Sequence, residues 1–195
     1  MSQAIRLSPS GPIISNPGGA PLTPSTGARL RLAEATTTVG SANSVPTAAN
    51  YAASQAIGVA IGSGPALTVS LTAPNVANNY RATALLDVTN PTTNALGTVQ
   101  LYLETSFDGG ATWSEQASNQ HNIFGSTNGG QSRQIRVDLP LRTGASLGMA
   151  PGAPSITIRA KIGATVGGGL LTVPSGDTGD AASKGTVLLQ LEEMF

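Results

Sequence analysis

The 195-residue sequence contains no cysteine, a single histidine and no long apolar run. Without cysteine the chain has no disulfide, no thiolate metal ligand and no cysteine nucleophile. One histidine without a second histidine or a cysteine is a poor basis for a metal site, so His121 is expected to make a surface or loop contact. No apolar stretch is long enough to predict a transmembrane helix. The N-terminal sequence lacks the apolar segment of a signal peptide.

Charged residues are also scarce, at 10% of the chain against about 25% in a typical domain. Ten acidic and ten basic residues give a formal net charge of zero. Because no basic excess is available to neutralise phosphates or an anionic membrane, neither nucleic acid nor a membrane is expected as a partner. The remaining polarity is neutral, and such a surface contacts another protein without desolvating many ions. The composition indicates a subunit of an assembly.

Motifs of catalysis and cofactor binding are missing as well. Neither a G-x-S-x-G nucleophile elbow nor a G-x-x-x-x-G-K-[ST] phosphate loop occurs, and no cofactor is expected. Glycoside hydrolysis requires two positioned carboxylates. Instead, Glu104 is expected in solvent beside Tyr102, and Glu192 and Glu193 on an exposed sheet edge where charge discourages strand pairing. The chain is therefore predicted not to be an enzyme.

Residues 1–55 are rich in proline and glycine and are predicted to form an extended N-terminal arm. Six prolines in this stretch interrupt helices and strand ladders, and its apolar pieces are too short to build a hydrophobic face. The composition fits a disordered tail as well as an arm that becomes ordered against a neighbour. Seven apolar residues favour the arm, as anchors for partner contact: Ile5, Leu7, Ile13, Ile14, Leu22, Leu30 and Leu32.

Over residues 56–195 the pattern changes to short runs in which apolar and polar residues alternate. Such a period of two predicts strands with one buried face. The strand-like runs are 66–72, 81–89, 99–104, 134–139, 156–162 and 186–192. Turn residues separate them, which predicts an all-β fold, an antiparallel β-sandwich of jelly-roll or immunoglobulin-like type. The two long connections, 143–154 and 163–183, are expected to be contact surfaces.

The sharpest local motif is Ser-Phe-Asp-Gly-Gly-Ala-Thr-Trp, from Ser106 to Trp113. It matches the Asp-box pattern S-x-D-x-G-x-T-W of sialidases and related propellers. We expect Asp108 to accept hydrogen bonds from backbone N–H groups, Gly110 to supply a positive φ angle, and Trp113 to cover the apolar base of a hairpin. Thr112 completes the pattern. A propeller needs several blades and the motif occurs once, so a structural hairpin is favoured over a sugar-processing role.

Together these features resemble the auxiliary virion proteins of tailed bacteriophages, above all the capsid decoration or cement proteins. The similarity covers the overall layout, in which a Pro- and Gly-rich arm is followed by a β-sandwich rich in small residues. It also covers the sequence of the predicted hairpin from Leu103 to Trp113. The resemblance implies a homo-oligomer, a trimer or dimer, on the capsid surface of the virion, made in the host cytoplasm. Its partner would be the major capsid protein, and its function would be to clamp neighbouring capsomers, with arms that cross to adjacent subunits.

Two other interpretations remain open. A tail, neck or fibre component of the virion would have the same fold. A carbohydrate-binding or glycosidase module would need exposed aromatic platforms and a carboxylate pair, and the chain has only three Phe, three Tyr and one Trp.

Overall fold

A computed structural model describes residues 5–8, 11–14, 29–38, 43–58, 65–125, 131–166, 171–173 and 186–194. The strands within these ranges are β1 (Ile5–Ser8), β2 (Gly11–Ile14), β3 (Arg29–Thr38), β4 (Asn43–Ser44), β5 (Gln55–Ala56), β6 (Thr68–Thr72), β7 (Asn79–Asn90), β8 (Leu96–Ser106), β9 (Ser114–Phe124), β10 (Gln131–Thr143), β11 (Ser155–Val166), β12 (Thr172–Val173) and β13 (Thr186–Met194). One 3₁₀ helix, Ala145–Leu147, follows β10.

The longer strands form two antiparallel sheets that pack face to face. The first sheet has the order β3–β13–β7–β10, and the short strands β4 and β12 continue it beside β7. The second sheet has the order β6–β11–β8–β9, and β5 continues β6 along β11. The predicted all-β, antiparallel sandwich is confirmed.

The strand pairings are nested around the β8–β9 hairpin. Outside that hairpin, β7 pairs with β10, β6 with β11 and β3 with β13. Each strand of the first half therefore pairs with the strand at the mirrored position of the second half, as in one long hairpin rolled into two sheets. Eight strands in this arrangement form a jelly roll, which is one of the two predicted types of sandwich.

The core lies between the two sheets and is built by the alternation that the sequence displays. In β10, the inward residues Ile135, Val137 and Leu139 are buried, while their neighbours in the chain are exposed. β7 and β11 contribute a second set of buried apolar residues: Tyr80, Ala82, Ala84, Leu86, Val88, Ile156, Ile158, Ala160 and Ile162. Each large side chain in this set stabilises the fold by about 1.5–3 kcal/mol.

The predicted boundary between arm and sandwich, at residue 55, requires correction. β3 pairs with β13 from Arg29 to Thr38, and residues 43–58 lie against both sheets, with Val45 and Ala48 buried. The sandwich therefore begins at residue 29. The apolar content of β3 is easily underestimated because its core-facing positions include Ala33 and Ala35, whose small side chains give a weak hydrophobic pattern.

The seven predicted arm anchors fall in three places. Four are in the β1–β2 hairpin and two are in β3: Ile5, Leu7, Ile13, Ile14, Leu30 and Leu32. Leu22 lies outside the described residues. Leu32 pairs with Glu192 on the outer face of the first sheet, where it is 47% exposed.

The first long connection, 143–154, is folded against the sandwich. The Gly144 N–H donates to the Asn78 carbonyl at 2.9 Å, and Leu147 and Met149 are buried. The second connection, 163–183, is partly strand, because β11 extends to Val166. Residues 171–173 return to the first sheet through β12, and the rest of this connection lies outside the described residues.

Candidate functional site

The Asp-box residues meet in the tight turn between β8 and β9. Asp108 Oδ1 accepts from the Ser106 hydroxyl at 2.7 Å and from the Thr112 N–H at 2.9 Å, while Oδ2 accepts from the Thr112 hydroxyl at 2.6 Å. These bonds, first those from Thr112, hold the pKa of Asp108 well below its ordinary value. The carboxylate is therefore ionised, and both of its oxygens accept hydrogen bonds inside the turn.

Gly110 and Trp113 complete this turn. Gly110 has a φ of 97°, a conformation that residues with a side chain rarely adopt. Trp113 Nε1 donates to the Gly110 carbonyl at 2.9 Å, and the Arg159 guanidinium carbon lies 4.1 Å from the centre of the Trp113 ring. This cation–π contact attaches the hairpin to β11.

A buried ionic cluster lies on the outer face of the second sheet. Glu104 of β8 is 1% exposed and accepts hydrogen bonds from the Arg159 guanidinium and the Tyr51 hydroxyl. The expectation that Glu104 is solvated is therefore wrong. Tyr51, from the segment between β4 and β5, reaches this face and covers Glu104, which alternation within β8 alone does not reveal.

Tyr51 is the residue that covers Glu104. Its ring contacts Tyr102 edge-on at 5.5 Å, and Lys161 Nζ lies 4.2 Å from the ring centre while donating to the Tyr51 carbonyl. Burial, together with the bond to Glu104, raises the pKa of Tyr51 above its ordinary value of 10.0. The phenol therefore stays protonated and keeps donating to the carboxylate.

A second buried carboxylate, Glu193, lies near the end of β13. It accepts from Tyr80 at 2.6 Å, from the Asn78 amide at 2.9 Å and from Arg31. Burial by itself would raise the pKa of Glu193, but these hydrogen bonds outweigh it and lower the pKa. The expected exposed edge at Glu192 and Glu193 is wrong, because β13 lies between β3 and β7 and both residues are buried.

The surface or loop contact expected of His121 is a surface contact, made from within strand β9. The His121 Nε2 is 3.0 Å from the Arg136 carbonyl of β10, and Asn119 donates to the same carbonyl. These side chains link the edges of the two sheets. Alternation in the sequence does not reveal β9, because only Ala117 and Ile123 among its residues are apolar and face the core.

An open groove lies at the end of the sandwich that carries the Asp-box turn. The end groove, as we name it, encloses about 470 Å³ between residues 105–114 on one side and 148–154 on the other. Its walls include Phe107, Trp113, Pro151 and Pro154, and Asp108 is the only charged residue among the described residues that line it. Thr105 also lines the groove, and its hydroxyl is buried without a hydrogen-bond partner among the described residues.

The outer face of the first sheet is a polar surface with a depression of about 340 Å³. Arg81 pairs with Glu192, and Arg136 pairs with Asp138, which also accepts from Thr83. No cluster of three or more His, Asp or Glu side chains in the described part of the chain could hold a metal ion. The described ranges also contain no helix of the length and apolarity needed to span a membrane.

No family model and no curated protein matches the chain. Among solved structures, arabinose-bound MgGH51 α-L-arabinofuranosidase is similar at 13% identity and a TM-score of 0.27, over 77% of this chain and 18% of that chain. A chain of deformed wing virus, a honeybee pathogen, is similar at 14% identity and a TM-score of 0.20, over 100% of this chain and 51% of that chain. The chain thus spans less than a fifth of the arabinofuranosidase and about half of the viral chain. Structural similarities with TM-scores this low do not support a conclusion about fold or function.

Proposed function

We propose that the chain is a structural virion protein that binds the outside of a phage capsid and stabilises contacts between capsomers. The observation that carries the proposal is the β1–β2 hairpin. Its four-residue strands pair with each other, Ile5 with Ile14 and Leu7 with Pro12, and with no other strand of the described ranges. A lone two-stranded hairpin is marginally stable in water, so a partner surface is the natural place for it.

The chemistry of the hairpin suits a protein partner. Both outer edges of a two-stranded sheet keep unpaired N–H and C=O groups, which pair readily with the edge of another sheet. Five of its eight residues are apolar: Ile5, Leu7, Pro12, Ile13 and Ile14. Docking would remove this apolar surface from water at about 25 cal/mol per Å². Under this proposal the partner is the major capsid protein, and the decoration subunit is a dimer or trimer.

The buried carboxylates support a structural role over an enzymatic one. Glu104 and Glu193 are each hydrogen-bonded to an arginine and a tyrosine inside the fold, and Asp108 is used by its own turn. A glycosidase pair would face each other across a substrate cleft. We therefore propose that the chain acts by binding and not by catalysis.

Co-sedimentation with expanded, DNA-filled heads of the phage that encodes the chain tests this proposal. We expect the full chain to sediment with the heads at saturating, symmetric stoichiometry, and a variant that starts at residue 15 to bind at least ~10-fold more weakly. Native mass spectrometry of both proteins reports the oligomer. Binding to purified tails instead of heads would favour a tail, neck or fibre component, and no binding to either would refute a virion role.

A further inference from the structure

The end groove has the chemistry of a site for a neutral, proline-rich peptide. Its aromatic and proline walls offer apolar surface, and the bonds within the turn already use both oxygens of Asp108. Aromatic-lined grooves of this kind bind extended proline-rich segments, whose rigid backbone loses little entropy on binding. A saccharide would need several free polar side chains, but Ser106, Asp108 and Thr112 are engaged with one another.

The unpartnered hydroxyl of Thr105 indicates a ligand that accepts hydrogen bonds. Thr105 is 1% exposed, lines the groove and has no partner among the described residues. A buried hydroxyl without a partner costs about 1–3 kcal/mol. A proline-rich peptide offers carbonyl acceptors in excess, because each proline lacks an N–H donor while keeping its carbonyl.

The chain itself carries such a segment directly before β3. Residues 15–28 read Ser-Asn-Pro-Gly-Gly-Ala-Pro-Leu-Thr-Pro-Ser-Thr-Gly-Ala, with three prolines and no charged residue. These residues lie outside the described ranges. Asp108 is the one charged residue among the described lining residues and is held inside the turn; the segment carries no charge of its own, so docking adds no further ion that must be desolvated.

The start of β3 is held beside the groove. The Arg31 guanidinium donates to the Thr72 carbonyl at 2.6 Å, and the next residue, Ala73, donates its N–H to the carbonyl of Pro154 at 2.9 Å. Pro154 is part of the groove wall. A segment that leads into Arg29 therefore meets the sandwich at the end where the groove opens, and 14 extended residues can span up to ~50 Å.

From these observations we propose that the end groove binds residues 15–28 of the same chain. The contact is intramolecular, because the attachment at β3 gives the segment a high effective concentration at the groove. Docking here places the β1–β2 hairpin at the same end of the sandwich and leaves that hairpin free for a partner. This contact forms within the isolated subunit, whether or not the protein binds a capsid.

Engineered disulfides test the contact directly, since the natural chain has no cysteine. We compare the pair Ala20→Cys and Ala150→Cys, which joins the segment to the exposed groove wall, with the pair Ala20→Cys and Ser132→Cys. Ser132 is the matched control because it is exposed and pairs with Thr89, at the opposite end of β7. Under mild oxidation the first pair is expected to close within one chain at least ~10-fold faster. Equal rates, or disulfide-linked dimers as the main product, would overturn the proposal.

The single tryptophan provides a second readout in the unlabelled protein. In the full chain, Pro21→Ser together with Pro24→Ser should raise acrylamide quenching of Trp113 fluorescence about twofold, because the segment then binds the groove less well. The control is Pro9→Ser with Pro12→Ser, which alters the hairpin region and should leave quenching unchanged. Equal quenching in the wild type and both variants would contradict binding at this groove.

Discussion

Glu104 and Glu115 are register partners on neighbouring strands, yet only one of them is buried. Their Cα positions pair between β8 and β9 next to a β-bulge, with Glu104 covered by Tyr51 and bonded to Arg159 and Glu115 exposed to solvent. The two carboxylates therefore form a matched pair for measuring how much the buried ionic cluster contributes to stability.

We predict that Glu104→Ala destabilises the fold by about 3–5 kcal/mol, because it leaves the Arg159 guanidinium and the Tyr51 hydroxyl without their acceptor. Glu115→Ala should change stability by less than ~0.5 kcal/mol, as is usual for exposed sites. Urea unfolding followed by the fluorescence of Trp113 measures both. Similar midpoints for the two variants would show that the cluster does not stabilise the fold.

Glu193 should make stability depend on acid pH. Its folded pKa is below the ordinary value of 4.5, so its stabilisation is complete above pH 4.5 and is lost as the pH falls through the lower folded pKa. We expect Glu193→Gln to be less stable than wild type by about 1–3 kcal/mol at pH 7, with a gap that narrows below pH 4.5. Asp108, whose pKa is also lowered, is present in both proteins, so its contribution cancels in the comparison. A gap that stays constant with pH would contradict the assignment.

The Asp-box turn should depend on the absence of a side chain at Gly110. Since its φ is 97°, Gly110→Ala forces a left-handed conformation and is expected to cost about 1–2 kcal/mol. Ala111→Ser, at the exposed neighbouring position, is the control and should have almost no effect. Thermal unfolding of the two variants distinguishes conformational strain from a general sensitivity of the turn to substitution.

Truncations test where the sandwich begins. Removing residues 1–14 should leave the melting temperature of the monomer nearly unchanged, because β1 and β2 pair only with each other among the described strands. Removing residues 1–38 takes away β3, exposes one edge of β13 and frees Glu193 from Arg31. That variant should melt at least ~10 °C lower, the result of losing several kcal/mol. Equal melting temperatures for the two truncated variants would instead support the boundary near residue 55 that the sequence predicts.

The strands with strict alternation were predictable from the sequence. β10 and β11 carry apolar residues at every second position, and this period indicates the face of each strand that packs in the core. β3 and β9 escaped prediction because the residues they turn toward the core are few and small, such as Ala33 and Ala117. At sandwich edges, pairing with a neighbouring strand replaces side-chain burial as the main determinant, and local sequence carries little trace of it.

The buried acids could not be located from the sequence for a different reason. Glu104 and Arg159 are cross-strand partners 55 residues apart, so only the topology brings them together. Their cover, Tyr51, comes from a stretch whose proline and glycine content predicted an arm. By contrast, the Asp-box turn is local, and its motif indicates both the bonds to Asp108 and the conformation of Gly110.

The nested order of strands has a consequence for how the protein is made. Ala33 pairs with Leu191, 158 residues further along the chain, and closing a loop of this length costs about 4–5 kcal/mol of chain entropy. The β8–β9 hairpin can form as soon as both of its strands have been synthesised, whereas among the described strands β3 pairs only with β13 and must wait for it. We therefore expect the β3–β13 pairing to be a slow, late step of folding, with β3 open to pairing with other nascent chains until it is complete.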